Sequence, residues 1–289
     1  MFKKLKQHLK RYPLAIKVHG SLYRVKLWLK DVSSVYISRS TKMKMTPLGI
    51  KLIGSNSIHH LAMQKGTFEP EETVLFKNLF RSADVFVDVG ANIGFYTCIA
   101  RLADKHVVAI EPLQKNLKYL YSNISGNGWN DIEVFPVGLN ESPGLATLYG
   151  GSSTGASLIG GWAGASQLFR RIIPVSTLDV LLNGRFAGKK MLVKIDVEGA
   201  EYPVLLGATN VMCLQPKPTW IVEICLNEFH PQGMNKNFKS TFELFWQHGY
   251  EATTADQLNR LIQRTDVDRW AKDGCCDSGT INYKFAPES

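Results

Sequence analysis

Asp84-Val85-Phe86-Val87-Asp88-Val89-Gly90-Ala91-Asn92-Ile93-Gly94 decides the fold: an apolar run breaks into two glycines four positions apart. Residues 85–89 read as a buried strand, and Phe95–Leu102 as a helix that starts on the glycine turn. Gly90 and Gly94 let the backbone come close to a ligand, and a helix N-terminus offers free N–H groups to an anion. The next apolar run, His106–Ile110, ends in Glu111-Pro112, and Glu111 follows Gly90 by 21 residues. At that edge of an open parallel sheet a carboxylate accepts both hydroxyls of a ribose.

Downstream, strands and helices alternate, the mark of an α/β sheet. Helices are expected near Glu71–Leu79, Asn116–Ile124, Tyr202–Gly207 and Phe238–His248. Further strands are expected at Ile132–Val137, Met191–Ile195, Trp220–Cys225 and Gly279–Phe285. Gly150–Gly164 holds six glycines in fifteen residues; it reads as a mobile, lid-like loop inside the domain.

The dinucleotide fingerprint G-x-G-x-x-G places its second glycine where this chain has Asn92. That glycine admits a pyrophosphate. Its replacement suits a nucleoside ligand without one, and S-adenosylmethionine has a ribose and an amino-acid carboxylate but no pyrophosphate. A second cluster, Val193-Lys194-Ile195-Asp196-Val197-Glu198-Gly199-Ala200-Glu201, ends a strand in three acids. One acid would suffice as a helix cap. Three acids at the ligand edge, with Glu223 at the end of a neighbouring strand, exceed that need.

Together these motifs carry a family resemblance. Phe68-Glu69-Pro70-Glu71, Val87 to Thr97, Glu111-Pro112 and Lys194 to Glu201 resemble the FkbM family of S-adenosylmethionine-dependent methyltransferases. Leu120-Tyr121-Ser122-Asn123 and Asn282-Tyr283 add to it, so that the likeness spans roughly residues 66–285. The resemblance implies a class I methyltransferase fold: a doubly wound, Rossmann-like, mostly parallel seven-stranded sheet with an antiparallel last strand. It also implies methyl transfer, usually to a hydroxyl oxygen, on acceptors from macrolides to sugars and glycans. Carried over by position, Gly90, Asn92 and Gly94 border the methionine part of the cofactor, and Glu111 holds the ribose. Asp88 orients the loop, Thr97 meets the carboxylate end of the cofactor, and Glu69 joins the cofactor set. Asp196 is placed beside the sulfonium and the incoming acceptor.

An alcohol must lose its proton as it attacks, which calls for a base or a metal. Asp196 and Glu198 are the candidate carboxylates, with His230, in the loop after the Glu223 strand, as a relay and His59 or His60 behind it. Asp196, Glu198 and Glu223 would also serve as hard oxygen ligands, although no spacing demands a metal. Base N-methylation often uses an Asn/Asp-Pro-Pro-aromatic turn, and this chain has Asp196-Val197-Glu198-Gly199 at that strand end.

Charge divides the chain. Residues 1–44 hold 12 Lys and Arg and one acid, a net +11, and the remainder has 22 bases against 24 acids. A basic amphipathic arm over residues 1–65 is therefore expected ahead of a methyltransferase domain over 66–289. Phe2, Leu5, Leu9 and Tyr12 fall at helical spacing among lysines, which suits docking of residues 1–44 on an anionic membrane face. The aromatic residues Tyr12, Tyr23, Trp28 and Tyr36 keep an RNA methyltransferase as the alternative, but the slightly acidic body argues against nucleic acid. No apolar run approaches a membrane span, no apolar core follows the basic start, and the five cysteines lack metal spacing. A cytoplasmic protein with reduced thiols is expected.

Overall fold

The computed structural model describes residues 39–151 and 155–288. A hairpin of β1 (Lys44–Met45) and β2 (Lys51–Leu52) leads into α1 (Ile58–Lys65) and α2 (Pro70–Phe80). Then β3 (Val85–Val89), α3 (Phe95–Leu102), β4 (His106–Ile110), α4 (Gln114–Gly126) and β5 (Glu133–Phe135) alternate. A separate three-stranded sheet follows, built from β6 (Gly138–Leu139), β7 (Gly144–Tyr149) and β8 (Arg170–Ser176) in the order β6-β8-β7. The main alternation resumes with α5 (Leu178–Leu182), β9 (Met191–Ile195), α6 (Glu201–Leu206), α7 (Thr209–Met212) and β10 (Thr219–Glu223). It closes with α8 (Phe238–Gln247), β11 (Tyr250–Thr254), β12 (Leu261–Ile262), α9 (Arg264–Asp273) and β13 (Asn282–Pro287).

The main sheet runs β12-β11-β13-β10-β9-β3-β4-β5. Strands β5, β4, β3, β9 and β10 are mutually parallel, and β13 lies antiparallel between β10 and β11. This is the class I methyltransferase arrangement. The sheet has eight strands rather than the expected seven, because the two-residue β12 adds antiparallel to the edge strand β11.

All five residues of β3 and of β9 are buried, as a doubly wound sheet requires. Alternate residues feed two cores. Val85, Val87, Val193 and Val222 pack with α5 through α9, whereas Phe86, Leu192 and Ile221 pack with Phe76, Phe80 and Ile99 of α2 and α3. At the carboxyl edge the rows Val89–Ile110, Val89–Ile195 and Ile195–Val222 stay in register. Glycine 90, Glu111, Asp196 and Glu223 thus each leave the sheet at the same level.

The expected boundary at residue 65 is crossed by packing. Ile50, Leu52 and Met63 lie in one core with Phe76 and Phe80, so residues 39–65 belong to the domain and not to an arm. Fully buried Asn123 of α4 fastens them. Its Oδ1 accepts from the Ile53 amide at 2.6 Å, and its Nδ2 donates to the carbonyls of Ile53 (3.0 Å) and Ile93 (2.7 Å). The helical, membrane-docking and RNA-stacking expectations for the arm fall mostly on residues 1–38, outside the described residues. Among the described residues no helix is long and apolar enough to cross a membrane.

Asn123→Ala removes a three-bond clasp and leaves buried backbone groups unsatisfied, a loss of about 2–3 kcal/mol. A lower urea midpoint with an unchanged slope is the expected result, and an unchanged midpoint would show that the clasp adds no stability.

Candidate active site

A cleft opens where the parallel strands end, the usual place for a ligand in an open parallel sheet. Gly90, Asn92, Glu111, Lys194, Asp196 and Glu198 all line it.

The glycine turn is shaped by its neighbours. Gly90 has φ +86°, and a Cβ there would stand 1.9 Å from the Asp196 carbonyl oxygen. Gly94 has φ +85°, and its Cβ would stand 2.4 Å from Leu120 Cδ1. Between them Asn92 adopts φ +52°, a conformation that Asn tolerates better than most residues. The Asn92 amide donates to Glu111 Oε2 at 2.9 Å and the Leu113 amide to Glu111 Oε1 at 2.7 Å. Burial pushes the Glu111 carboxyl up to about 7, against these donors, which favour its ionised form.

Beneath the loop lies a buried charge cluster. Asp88 is 1% exposed and accepts from the Thr97 hydroxyl at 2.6 Å. Thr97, expected at the carboxylate end of the cofactor, is fully buried and spends its hydroxyl on Asp88, so it supports the loop from below. Lys194 pairs with Asp196 Oδ2 at 2.8 Å. Burial alone would lower the Lys194 ammonium, but Asp196, Asp88 and Glu69 together hold it above its ordinary value. Glu69 accepts from the Tyr96 hydroxyl at 2.8 Å and lines a small pocket with Lys194, Glu223 and Asn282 instead of the main cleft. Burial pushes its carboxyl up to about 7.

The acid motif divides its tasks. Glu201, 3% exposed, accepts from the Gly199 amide at 2.9 Å and acts as a cap for its own turn. Burial pushes it up to about 8. Asp196 and Glu198 face the cleft, and the side chain of Asp196 is 31% exposed. Burial, then the charge of Asp196, pushes Glu198 up to about 7, and the Trp162 indole N–H donates to Glu198 Oε2 at 2.6 Å. Burial, then Asp196, raises Glu223 well above its ordinary value. Among the described residues no three His, Cys, Asp or Glu side chains converge as metal ligands, so the Asp196, Glu198 and Glu223 set does not form such a group.

Trp162 corrects the reading of Gly150–Gly164. It is 1% exposed, and Gly199 makes room for it: a Cβ at 199 would stand 2.3 Å from its ring. The Ser157 hydroxyl donates to the Glu198 carbonyl at 2.6 Å, and the Ala163 amide to the Phe229 carbonyl at 2.8 Å. Residues 155–164 are therefore an anchored wall of the site. His230 does not line the cleft. Its ring lies edge-on to Trp162 at 4.7 Å, and no hydrogen bond joins its buried Nε2 to Asp196 or to any other described residue.

Sequence reading gives no site role to Trp162 or Lys194, and it names His60 only as a catalytic alternate to His230. A lone tryptophan in a glycine-rich stretch was the available signal for the first. For Lys194 the signal is its place inside the acid motif.

Residues 88–252, more than half of the chain, match the family model described as a Methyltransferase FkbM domain. No curated protein matches in sequence. Among solved structures, the O-methyltransferase TomG from Streptomyces achromogenes, in complex with SAM, is 14% identical, covering 75% of this chain and 78% of that one, with a TM-score of 0.43. The ribosomal protein L11 methylase from Lactobacillus delbrueckii subsp. bulgaricus is 11% identical over 80% of each chain, with a TM-score of 0.40. Likeness at this level says nothing of the acceptor.

A raised Glu198 has a pH signature. Its folded pKa of about 7 exceeds the ordinary 4.5, so its contribution is complete below pH 4.5 and is lost as pH rises through 7. The loss is on the order of 3 kcal/mol. Glu198→Gln, which still accepts from Trp162, should flatten this part of the profile and melt later than wild type at pH 8. Parallel profiles for the two proteins would show that Glu198 titrates normally.

Proposed function

This chain belongs to the FkbM methyltransferase family, and we propose that it methylates a hydroxyl oxygen of a sugar, a glycan or another small-molecule acceptor. S-adenosylmethionine, the cofactor of the family, supplies a methyl group on a cationic sulfur. The site fits that molecule. Glu111 is a buried carboxyl on the cleft wall, which suits a ribose diol, and Gly90 lines the cleft beside it without a side chain. Asn92 in place of a glycine suits a ligand without a pyrophosphate.

The observation that supports an oxygen acceptor is the pair of carboxylates, Asp196 and Glu198, on the cleft edge. One oxygen of Asp196 is tied to Lys194, which leaves the other to orient an acceptor hydroxyl. Glu198, held near neutral, has the basicity suited to taking the hydroxyl proton at physiological pH. Trp162 fixes the orientation of that carboxylate, and His230 packs behind Trp162. Methyl transfer is then dominated by positioning and by the field of the acid cluster. The +11 charge of residues 1–44 supports peripheral contact with an anionic membrane face, as part of the same reading.

Labelled methyl from S-adenosylmethionine should enter the glycan or small-molecule fraction of the source cell; label in RNA alone would replace this reading. Glu111→Ala should weaken S-adenosylhomocysteine binding by about 10-fold or more in calorimetry, because two charge-assisted bonds to the ribose are lost. Asp196→Asn and Glu198→Gln should bind it normally yet lose on the order of 100-fold in turnover. Normal turnover in both would confine the acids to a structural role.

A further inference from the structure

His60 lies outside the matched family segment and 32 residues before Asn92, yet it reaches the cofactor loop. It is fully buried. The Ser55 backbone amide donates to its Nδ1 at 2.9 Å. An amide has only a proton to offer, so Nδ1 carries none, and the proton of the neutral ring sits on Nε2. That nitrogen is 3.2 Å from Asn92 Oδ1, which it can approach only as the donor. Burial holds the ring pKa down, to about 4, so the ring stays neutral at physiological pH.

Asn92 joins His60 to the site. Its side chain accepts from His60 while its backbone amide, at φ +52°, donates to Glu111. A residue other than glycine costs free energy in that conformation and persists where its surroundings hold it. The holder is itself fixed: Ser57 caps α1 by accepting from the His60 amide at 3.3 Å. Gln64, on the same helix, donates to the Leu52 carbonyl at 2.7 Å.

We propose that His60 is a positioning residue for the cofactor. It clamps Asn92 in the left-handed conformation and so aims the Asn92 amide at Glu111. Residues 55–60 complete a cofactor site whose family segment begins only at residue 88. The chain serves two ends with one asparagine: glycine would supply the conformation without a hold, and Asn92 adopts it with a partner.

The experiment is a double-mutant cycle read as the Kd of S-adenosylhomocysteine by calorimetry on the full chain, with melting temperature beside it. His60→Phe should raise Kd by about five- to tenfold, the effect of one buried hydrogen bond. In an Asn92→Gly background, where glycine takes the conformation unaided and the acceptor is gone, His60→Phe should add less than twofold. Equal losses in both backgrounds would assign His60 to packing alone and overturn the proposal, as would an unchanged Kd in the single variant. Should His60→Phe fail to fold, nitrogen-15 spectra of the wild-type ring decide. A neutral Nε2–H tautomer that does not titrate between pH 5 and 8 supports the clamp. An Nδ1–H tautomer or a titrating ring overturns it.

Discussion

A hydrogen atom in place of a side chain at residue 90 is the constraint on which the site depends. The Asp196 carbonyl passes where a Cβ would stand, only 1.9 Å away, and the Asp196 amide donates to the Val89 carbonyl at 3.1 Å. The two motifs are therefore pressed together at adjacent strand ends, while the Gly90 amide turns to the Ile110 carbonyl of the next strand. Three strands are stitched at one level. Glu111 emerges on one flank of the loop and Asp196 on the other, so the proposed cofactor grip and the proposed acceptor chemistry lie on opposite sides of it.

Around that junction, burial works against charge. Asp88, Glu69, Glu111, Glu198, Glu201 and Glu223 are all displaced upward by loss of solvent. Lys194 is the cation that holds the group together, paired with Asp196 and 5.4 Å from the centre of the Tyr96 ring. Removing such a cation leaves its neighbours charged without compensation, a far larger perturbation than the loss of an exposed pair. The cluster thus gathers its acids around one lysine beneath the proposed cofactor cleft.

Sequence alone located what is periodic and local. The bounds of β3, β4 and β9 follow from short apolar runs, because strands buried on both faces carry few polar residues, here one in each: Asp88, His106 and Lys194. The register of Glu111 with Asp196 follows from the same runs. Strands β7 and β8 did not show, since one face of that small sheet is open and Leu145 and Ile172 are largely exposed. Gly150–Gly164 misled for a different reason: glycine content reports the freedom of a backbone, not where a single tryptophan anchors it. His60 and Asn123 act across 30 residues or more, through hydrogen bonds that no local pattern encodes.

The seat of Trp162 also bears on how such an enzyme diversifies. Loops vary more among relatives than the elements they connect. Here the segment is keyed to the cleft edge at Glu198, through both its side chain and its carbonyl, and to the vacancy above Gly199. A transplanted loop without a tryptophan in register would free the Glu198 carboxylate, and any side chain at 199 would bar the tryptophan from its seat. Residues 155–164 and 198–199 are therefore one packing unit, in which neither part can be exchanged without the other.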